Sequence, residues 1–170
     1  MESVLCASEE NKVLVFVSQK KYADDLAYKL AEKGFQSASM HGGKSQDSRL
    51  WTLEQFRLGK LRLLVATDVI GRGIDIPSVS HVVVFDMGTI DDYVHRIGRT
   101  ARGKDARGNA LVFFEYYYKD PGIAQQLIDL LQASRQPVPR DLRRIAEEVT
   151  TGKRKVFDPS ANSRWAGSSW

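Results

Sequence analysis

Apolar residues along this chain come in two rhythms. Residues 13–17, 61–66, 81–85 and 109–114 are short, largely apolar runs, the pattern of strands buried on both faces. Residues 36–40 predict one further short strand. Between the runs the spacing lengthens to that of a helix. Residues 20–33 place Tyr22, Leu26 and Leu30 on one stripe, and Gly34 ends it. Ser45 is the expected N-cap of a second helix, with Asp47 near its positive end, Leu50, Leu53 and Phe56 facing inward, and Gly59 closing it. A short helix is predicted from Ile90 through His95. Asp120 and Pro121 are expected as N-cap and first residue of a helix that buries Ile123, Leu127, Leu130 and Leu131. The Gln-Pro-Val-Pro run at 136–139 interrupts it, and a last helix is expected over 141–150.

Strands alternating with helices through short loops predict an α/β fold: a mostly parallel sheet with helices on both faces. Such sheets bind ligands beyond the carboxyl ends of their strands. Residues 18–20, 41–44 and 67–75 are the segments expected there. The domain is read as spanning 12–150, with 1–11 a lead-in and 151–170 a basic, flexible tail.

Composition narrows the class. A 170-residue chain that is 42% hydrophobic suits one soluble domain with an appendage. No run reaches the roughly 20 apolar residues that span a bilayer, so no membrane partner is expected, and the isolated domain is expected to be monomeric. Cys6 is the one cysteine, so no disulfide or metal cluster forms from thiols within the chain, which fits an intracellular setting. The net charge is +4, and residues 135–155 alone carry seven Lys or Arg against three Asp or Glu. That surplus would suit a polyanion partner, but on charge alone a solvated helix face is the favoured reading.

The densest candidate chemistry is Tyr93-Val-His-Arg-Ile-Gly-Arg-Thr-Ala-Arg102. Arg96, Arg99 and Arg102 recur at i, i+3 and i+6, and His95 precedes Arg99 by four, which puts them near one helical face. Guanidiniums so close repel one another unless an anion lies between them, and a triphosphate matches their planar donors. Separate surface salt bridges are the alternative. A second loop, residues 66–77, sets Gly71 and Gly73 around Arg72 and carries Asp75, whose carboxylate can accept from ribose hydroxyls. An ordinary strand-to-helix turn with Arg72 in solvent is the alternative there.

Residues 38–45, Ala-Ser-Met-His-Gly-Gly-Lys-Ser, come close to a phosphate-binding loop, and residues 82–86 resemble an apolar strand ending in a magnesium-binding aspartate. A self-contained P-loop NTPase is therefore a rival reading. It is disfavoured because residues 38–40 fall inside a predicted strand and Met87, not Glu, follows Asp86. Lys44 is expected instead to reach a nucleic-acid backbone or solvent.

Taken together, the segments resemble the C-terminal RecA-like domain of DEAD-box ATP-dependent RNA helicases. The resemblance covers residues 12–142. Residues 13–21 are similar to motif IV of that family, 41–46 with Arg49 to motif IVa, 66–75 to motif V and 95–102 to motif VI. Residues 127–139 are similar to the Ded1/p68-like branch. Gly43 stands where the family commonly has Asp, and Ala101 where it commonly has Gly.

The resemblance implies roles. Asp75, Arg99 and Arg102 would bind ATP, the two arginines as catalytic fingers on the γ-phosphate. Arg72, His95 and Arg96 would meet the N-terminal RecA-like domain of the same protein. Gly42, Gln46, Arg49 and Thr67 would hold RNA phosphates and sugars, contacts that position a strand without reading its sequence. Magnesium would be held by the N-terminal domain, since neither a true phosphate loop nor an Asp-Glu-Ala-Asp or Ser-Ala-Thr motif occurs in this chain. The implied function is ATP-driven RNA unwinding in the nucleus or cytoplasm, with this half inactive alone. A non-catalytic RNA-binding scaffold is a further alternative.

Overall fold

A computed structural model describes residues 8, 11–68, 79–100, 108–117 and 119–156. The chain divides into two units, residues 1–114 and 115–170, so a boundary after Phe114 falls within the span 12–150 read from sequence as one domain.

The first unit is built on a parallel sheet of β1 (Val13–Phe16), β2 (Ser37–Met40), β3 (Leu63–Ala66), β4 (His81–Val84) and β5 (Asn109–Val112), in the order β2-β3-β1-β4-β5. Among the described residues, three helices lie in the crossovers: α1 (Lys20–Glu32), α2 (Gln46–Arg57) and α3 (Ile90–Ile97). Alternation along the strands sorts the core into two clusters. Leu14, Phe16, Leu64, Ala66, Val82 and Val84 pack with Leu53 and Phe56 of α2 and with Ile97 of α3. Val13, Val15, Leu63, Val65 and Val83 pack with Ala23, Ala27 and Leu30 of α1. Helices therefore cover both faces, and the central strands are apolar throughout because neither face meets water.

Two helices bury a different stripe from the one the sequence suggests. In α1 the buried residues are Ala23, Ala27 and Leu30, whereas Tyr22 is 48% exposed. Two alanines let the helix lie close on a valine-rich sheet, where a tyrosine ring would hold it off. In α2 the inner residues are Thr52, Leu53 and Phe56, and Leu50 is 54% exposed. At roughly 100° per residue, Thr52 lies nearer the arc of Leu53 and Phe56 than Leu50 does. Ser45 caps α2 as expected: its side chain accepts from the Ser48 amide at 3.2 Å.

The second unit holds α4 (Ile123–Ala133) and α5 (Arg140–Thr150). Ile123, Ala124, Leu127 and Ile128 are buried on α4, with Leu142 and Ala146 on α5, while Leu130 and Leu131 are only half-buried. The expected cap at Asp120 and Pro121 is not observed. Asp120 O accepts from the Ile123 amide, a turn with Pro121 and Gly122 at its centre; Asp and Pro are favoured at its first two positions. The helix begins after that turn, with Gly122 at the N-cap. The start of the expected tail is anchored rather than loose. Arg154 pairs with Glu148 at 2.6 Å, its guanidinium lies 5.0 Å over the Tyr116 ring, and Tyr116 Oη donates to Lys155 O at 2.9 Å. Residues 157–170 lie outside the described residues.

Candidate functional site

Parallel register decides what lines the carboxyl edge of the first unit. Phe16, Met40, Ala66 and Val84 are paired across the sheet at one level. The residues that follow them therefore leave the sheet together: Val17 and Ser18, His41 and Gly42, Thr67 and Asp68, Phe85 and Asp86. Cross-links hold these ends. The Ser18 amide donates to Asp86 Oδ2 at 2.8 Å, and the Thr67 amide donates to Met40 O at 3.2 Å. Asp86, read as a magnesium ligand in the rival hypothesis, thus serves as a backbone tie.

Arg96 is the most thoroughly bonded side chain at this edge. It is 4% exposed. Nε donates to Asp68 Oδ1 at 2.7 Å and Nη2 to Asp68 Oδ2 at 2.5 Å, while Nη1 donates to the carbonyls of Asp86 and Met87. Its guanidinium lies 5.8 Å over the Phe16 ring. The sequence suggested an anion or another domain as the partner of Arg96; in this unit its donors go to Asp68 and to the carbonyls of Asp86 and Met87. Arg96 fastens α3 to the ends of β3 and β4. The reason is its phase on α3: Tyr93, Arg96 and Thr100 are all buried, a spacing of three and four that puts Arg96 on the inner face. That spacing was readable in the sequence.

The start of α3 is built for one position. Thr89 and Asp92 form a reciprocal capping box, with the Asp92 amide donating to Thr89 Oγ1 at 3.1 Å and the Thr89 amide donating to Asp92 Oδ2 at 3.0 Å. The backbone and hydroxyl donors of Thr89 hold the Asp92 carboxyl below its usual range. Gly88 precedes them at φ +69°, where an added Cβ would sit 2.8 Å from Asp92 Oδ2, so no other residue fits without displacing the cap. On the helix so placed, His95 is exposed and Arg99 half-buried. Arg99 is held through its backbone, its amide donating to Arg96 O and its carbonyl accepting from the Val79 amide.

A second network, absent from the sequence reading, fixes the loop after β2. Asp24 of α1 accepts from Ser39 Oγ at 2.5 Å and lies 3.0 Å from His41 Nε2 and 2.9 Å from Lys44 Nζ. Burial works to raise the Asp24 pKa, but the hydrogen bonds from Ser39, Lys44 and His41 outweigh it and hold the group down to about 2. His41 is buried, and its Nδ1 accepts from the Gly43 amide at 3.1 Å. Lys44 is therefore bound to Asp24 rather than extended toward solvent. Ala38, Ser39 and Met40 are paired in the sheet, which leaves too little chain to wrap a phosphate. Both findings count against the P-loop reading.

Of the residues expected at an RNA surface, Gly42 and Gln46 are exposed, Arg49 is half-buried and Thr67 is buried. Arg49 Nη2 reaches Gln46 Oε1 at 3.5 Å. Arg49 Nε and Thr67 Oγ1 are buried with no hydrogen-bond partner among the described residues. Such atoms are uncommon in folded proteins. Arg72, Asp75 and Arg102 lie outside the described residues.

The profile of the helicase conserved C-terminal domain matches residues 1–104. The chain belongs to this helicase family. Among curated relatives, the ATP-dependent RNA helicase DBP2 of Candida albicans is 42% identical over 145 residues, covering 85% of this chain and 25% of the relative. The chain thus spans about a quarter of the length of the curated relatives it matches. Among solved structures, the RNA helicase Prp28 from Chaetomium thermophilum bound to ADP is 37% identical with a TM-score of 0.69, over 84% of this chain and 35% of that one. The C-terminal domain of the DEAD-box protein Dbp5 is 28% identical with a TM-score of 0.62, over 89% of this chain and 92% of that one. The expected RecA-like fold of a DEAD-box helicase C-terminal domain is the fold observed. Among the described residues, no helix of this helicase domain is long and apolar enough to cross a membrane.

Proposed function

We propose that this chain is the C-terminal RecA-like half of an ATP-dependent RNA helicase and acts only when an N-terminal RecA-like half closes on it. The names of its relatives support ATP and RNA as ligands. The observation that carries the reading is the pair of buried polar atoms without a partner among the described residues, Thr67 Oγ1 and Arg49 Nε. They flank the loop 41–46, on the edge where this sheet type binds ligands. A buried polar group left unpaired costs about 1–3 kcal/mol. Phosphate and sugar oxygens of a single RNA strand are suited to relieve that cost, with Gly42 and Gln46 presented beside them.

On this reading Asp75 holds the ATP ribose, and Arg99 and Arg102 place positive charge where negative charge develops on the γ-phosphate. His95 and Arg72 face the other half, which holds the magnesium ion; that ion neutralises phosphate charge. Arg96, whose donors are taken up inside this unit, supports the site on this reading by holding α3 in place. The isolated chain is expected to hydrolyse no ATP.

In the full-length protein, Arg99→Ala and Arg102→Ala are each expected to lower RNA-stimulated kcat by roughly 10³, with RNA affinity retained. Near-normal turnover in both variants overturns the assignment. Calorimetry of the isolated chain with Mg-ATP is expected to show weak binding. Tight binding lost on Lys44→Ala would instead support the self-contained NTPase.

A further inference from the structure

The Asp24 network joins three segments that the proposed function does not use. Asp24 sits on α1, Ser39 on β2, and His41 and Lys44 in the loop that leads to α2. The carboxylate takes a donor from each of the three side chains. Its reach extends into the backbone: His41 Nδ1 accepts from the Gly43 amide, and His41 O accepts from the Lys44 amide at 3.0 Å. Because Nδ1 is an acceptor, the imidazole proton sits on Nε2, facing Asp24. Gly43 lies so close to this ring that a Cβ there would be 3.1 Å from both His41 Cε1 and Nδ1. Ser45, the next residue after Lys44, caps α2, so the direction in which α2 leaves the loop is set by residues tied to Asp24. Gln46 and Arg49 occupy the first turn and a half of that helix.

We propose that Asp24 is a positioning residue, whose carboxylate holds Ser39, His41 and Lys44 together and so fixes the loop 41–45, aiming Gln46 and Arg49 at the RNA backbone. This rests on the RNA-binding role given to Arg49 above. Asp24 touches no RNA itself. Its effect is preorganisation: a loop fixed before binding need not be ordered by the ligand, and the affinity gained is the ordering cost avoided.

The test uses the full-length protein with Asp24→Asn, Asp24→Glu and Arg49→Ala, measured for RNA affinity with and without a non-hydrolysable ATP analogue. Asparagine keeps the shape but offers one acceptor oxygen and no charge to three donors. Asp24→Asn is expected to weaken RNA binding in the nucleotide-bound state about tenfold, a change of about 1.4 kcal/mol, with basal ATPase and the KM for ATP within about twofold of the parent. Asp24→Glu, which restores the charge, is expected to recover part of the loss. Amide exchange supplies a readout that general destabilisation would not move selectively: the Gly43 and Lys44 amides speed up in Asp24→Asn, while those of β1 and β3 do not. RNA binding at the parental level in Asp24→Asn, with a loss in Arg49→Ala, overturns the role of Asp24 alone. Parental binding in both variants overturns the RNA reading and this inference together. Faster exchange across the sheet as well as the loop overturns positioning in favour of a purely structural role.

Discussion

Arg96 and Arg49 both stand near the carboxyl edge of the first unit and meet opposite surroundings. Arg96 is more deeply buried, yet every nitrogen of its guanidinium donates to a protein acceptor. Arg49 is less buried, and its Nε has no acceptor. Two buried threonines repeat the contrast. Thr100 Oγ1 donates to Val79 O at 2.8 Å, whereas Thr67 Oγ1 finds no partner. Spacing marked Arg96, and the family resemblance marked Arg49, as sites for an external anion. Their hydrogen bonds separate them: Arg96 belongs to the frame, whereas Arg49 Nε has no partner among the described residues, as the RNA role proposed for it requires.

The largest expected effect tests the frame. In the pair Arg96–Asp68 the guanidinium is buried but the Asp68 side chain is 51% exposed. Asp68→Ala leaves a buried cation without its counter-charge and is expected to cost about 3 kcal/mol of stability, the low end for breaking a buried pair. Arg96→Met leaves a carboxylate that water can solvate and is expected to cost about 1–2 kcal/mol, chiefly from donors lost to the Asp86 and Met87 carbonyls. Urea unfolding of both variants decides. If Arg96→Met proves the more damaging, the cation is not the member that depends on its partner.

The next effect is smaller and differs in sign between the two threonines. Thr100→Val removes a bonded hydroxyl and is expected to destabilise by about 1 kcal/mol. Thr67→Val removes an unbonded one, and stability is expected to hold or rise by up to about 1 kcal/mol. In the full-length protein Thr67→Val is nevertheless expected to weaken ATP-dependent RNA binding. Equal destabilisation by the two substitutions would show that Thr67 Oγ1 has a partner after all and would remove it from the RNA surface.

The order of strands and helices was legible because each apolar run is short and each helical stripe is bounded by glycine or a cap. What misled was detail that residue type alone does not carry. Tyr22 and Leu50 look like core residues, yet Ala23, Ala27 and Thr52 share the inner faces with Leu30, Leu53 and Phe56. Asp120 and Pro121 look like a helix start, but they form a turn closed by the Ile123 amide on Asp120 O, and the helix begins after it. Arg96 was read for its charge when its phase with Tyr93 and Thr100 marked it as buried. Asp24 had no sequence signal, because its partners Ser39, His41 and Lys44 come from another strand and loop. Only the fold brings them within reach.

The smallest effect concerns Asp24 and is read through pH. Its pKa falls from 3.8 to about 2 in the folded state. A depressed folded pKa means that the stabilisation is fully present above 3.8 and is lost as pH falls through about 2. Asp24→Asn never has it. The parent is therefore expected to be more stable than Asp24→Asn at pH 5, and the gap is expected to close between pH 4 and pH 2. Since the Asp24 side chain is 46% exposed, water screens the network, and the gap is expected to be about 0.5–1 kcal/mol rather than the full value of the shift. Asp92, also held low by its own cap, is unchanged in both proteins and cancels from the difference. Urea midpoints across that range give the measurement. A gap independent of pH would mean that Asp24 acts by shape and not by charge, and the loop 41–45 would then be held by something other than the carboxylate.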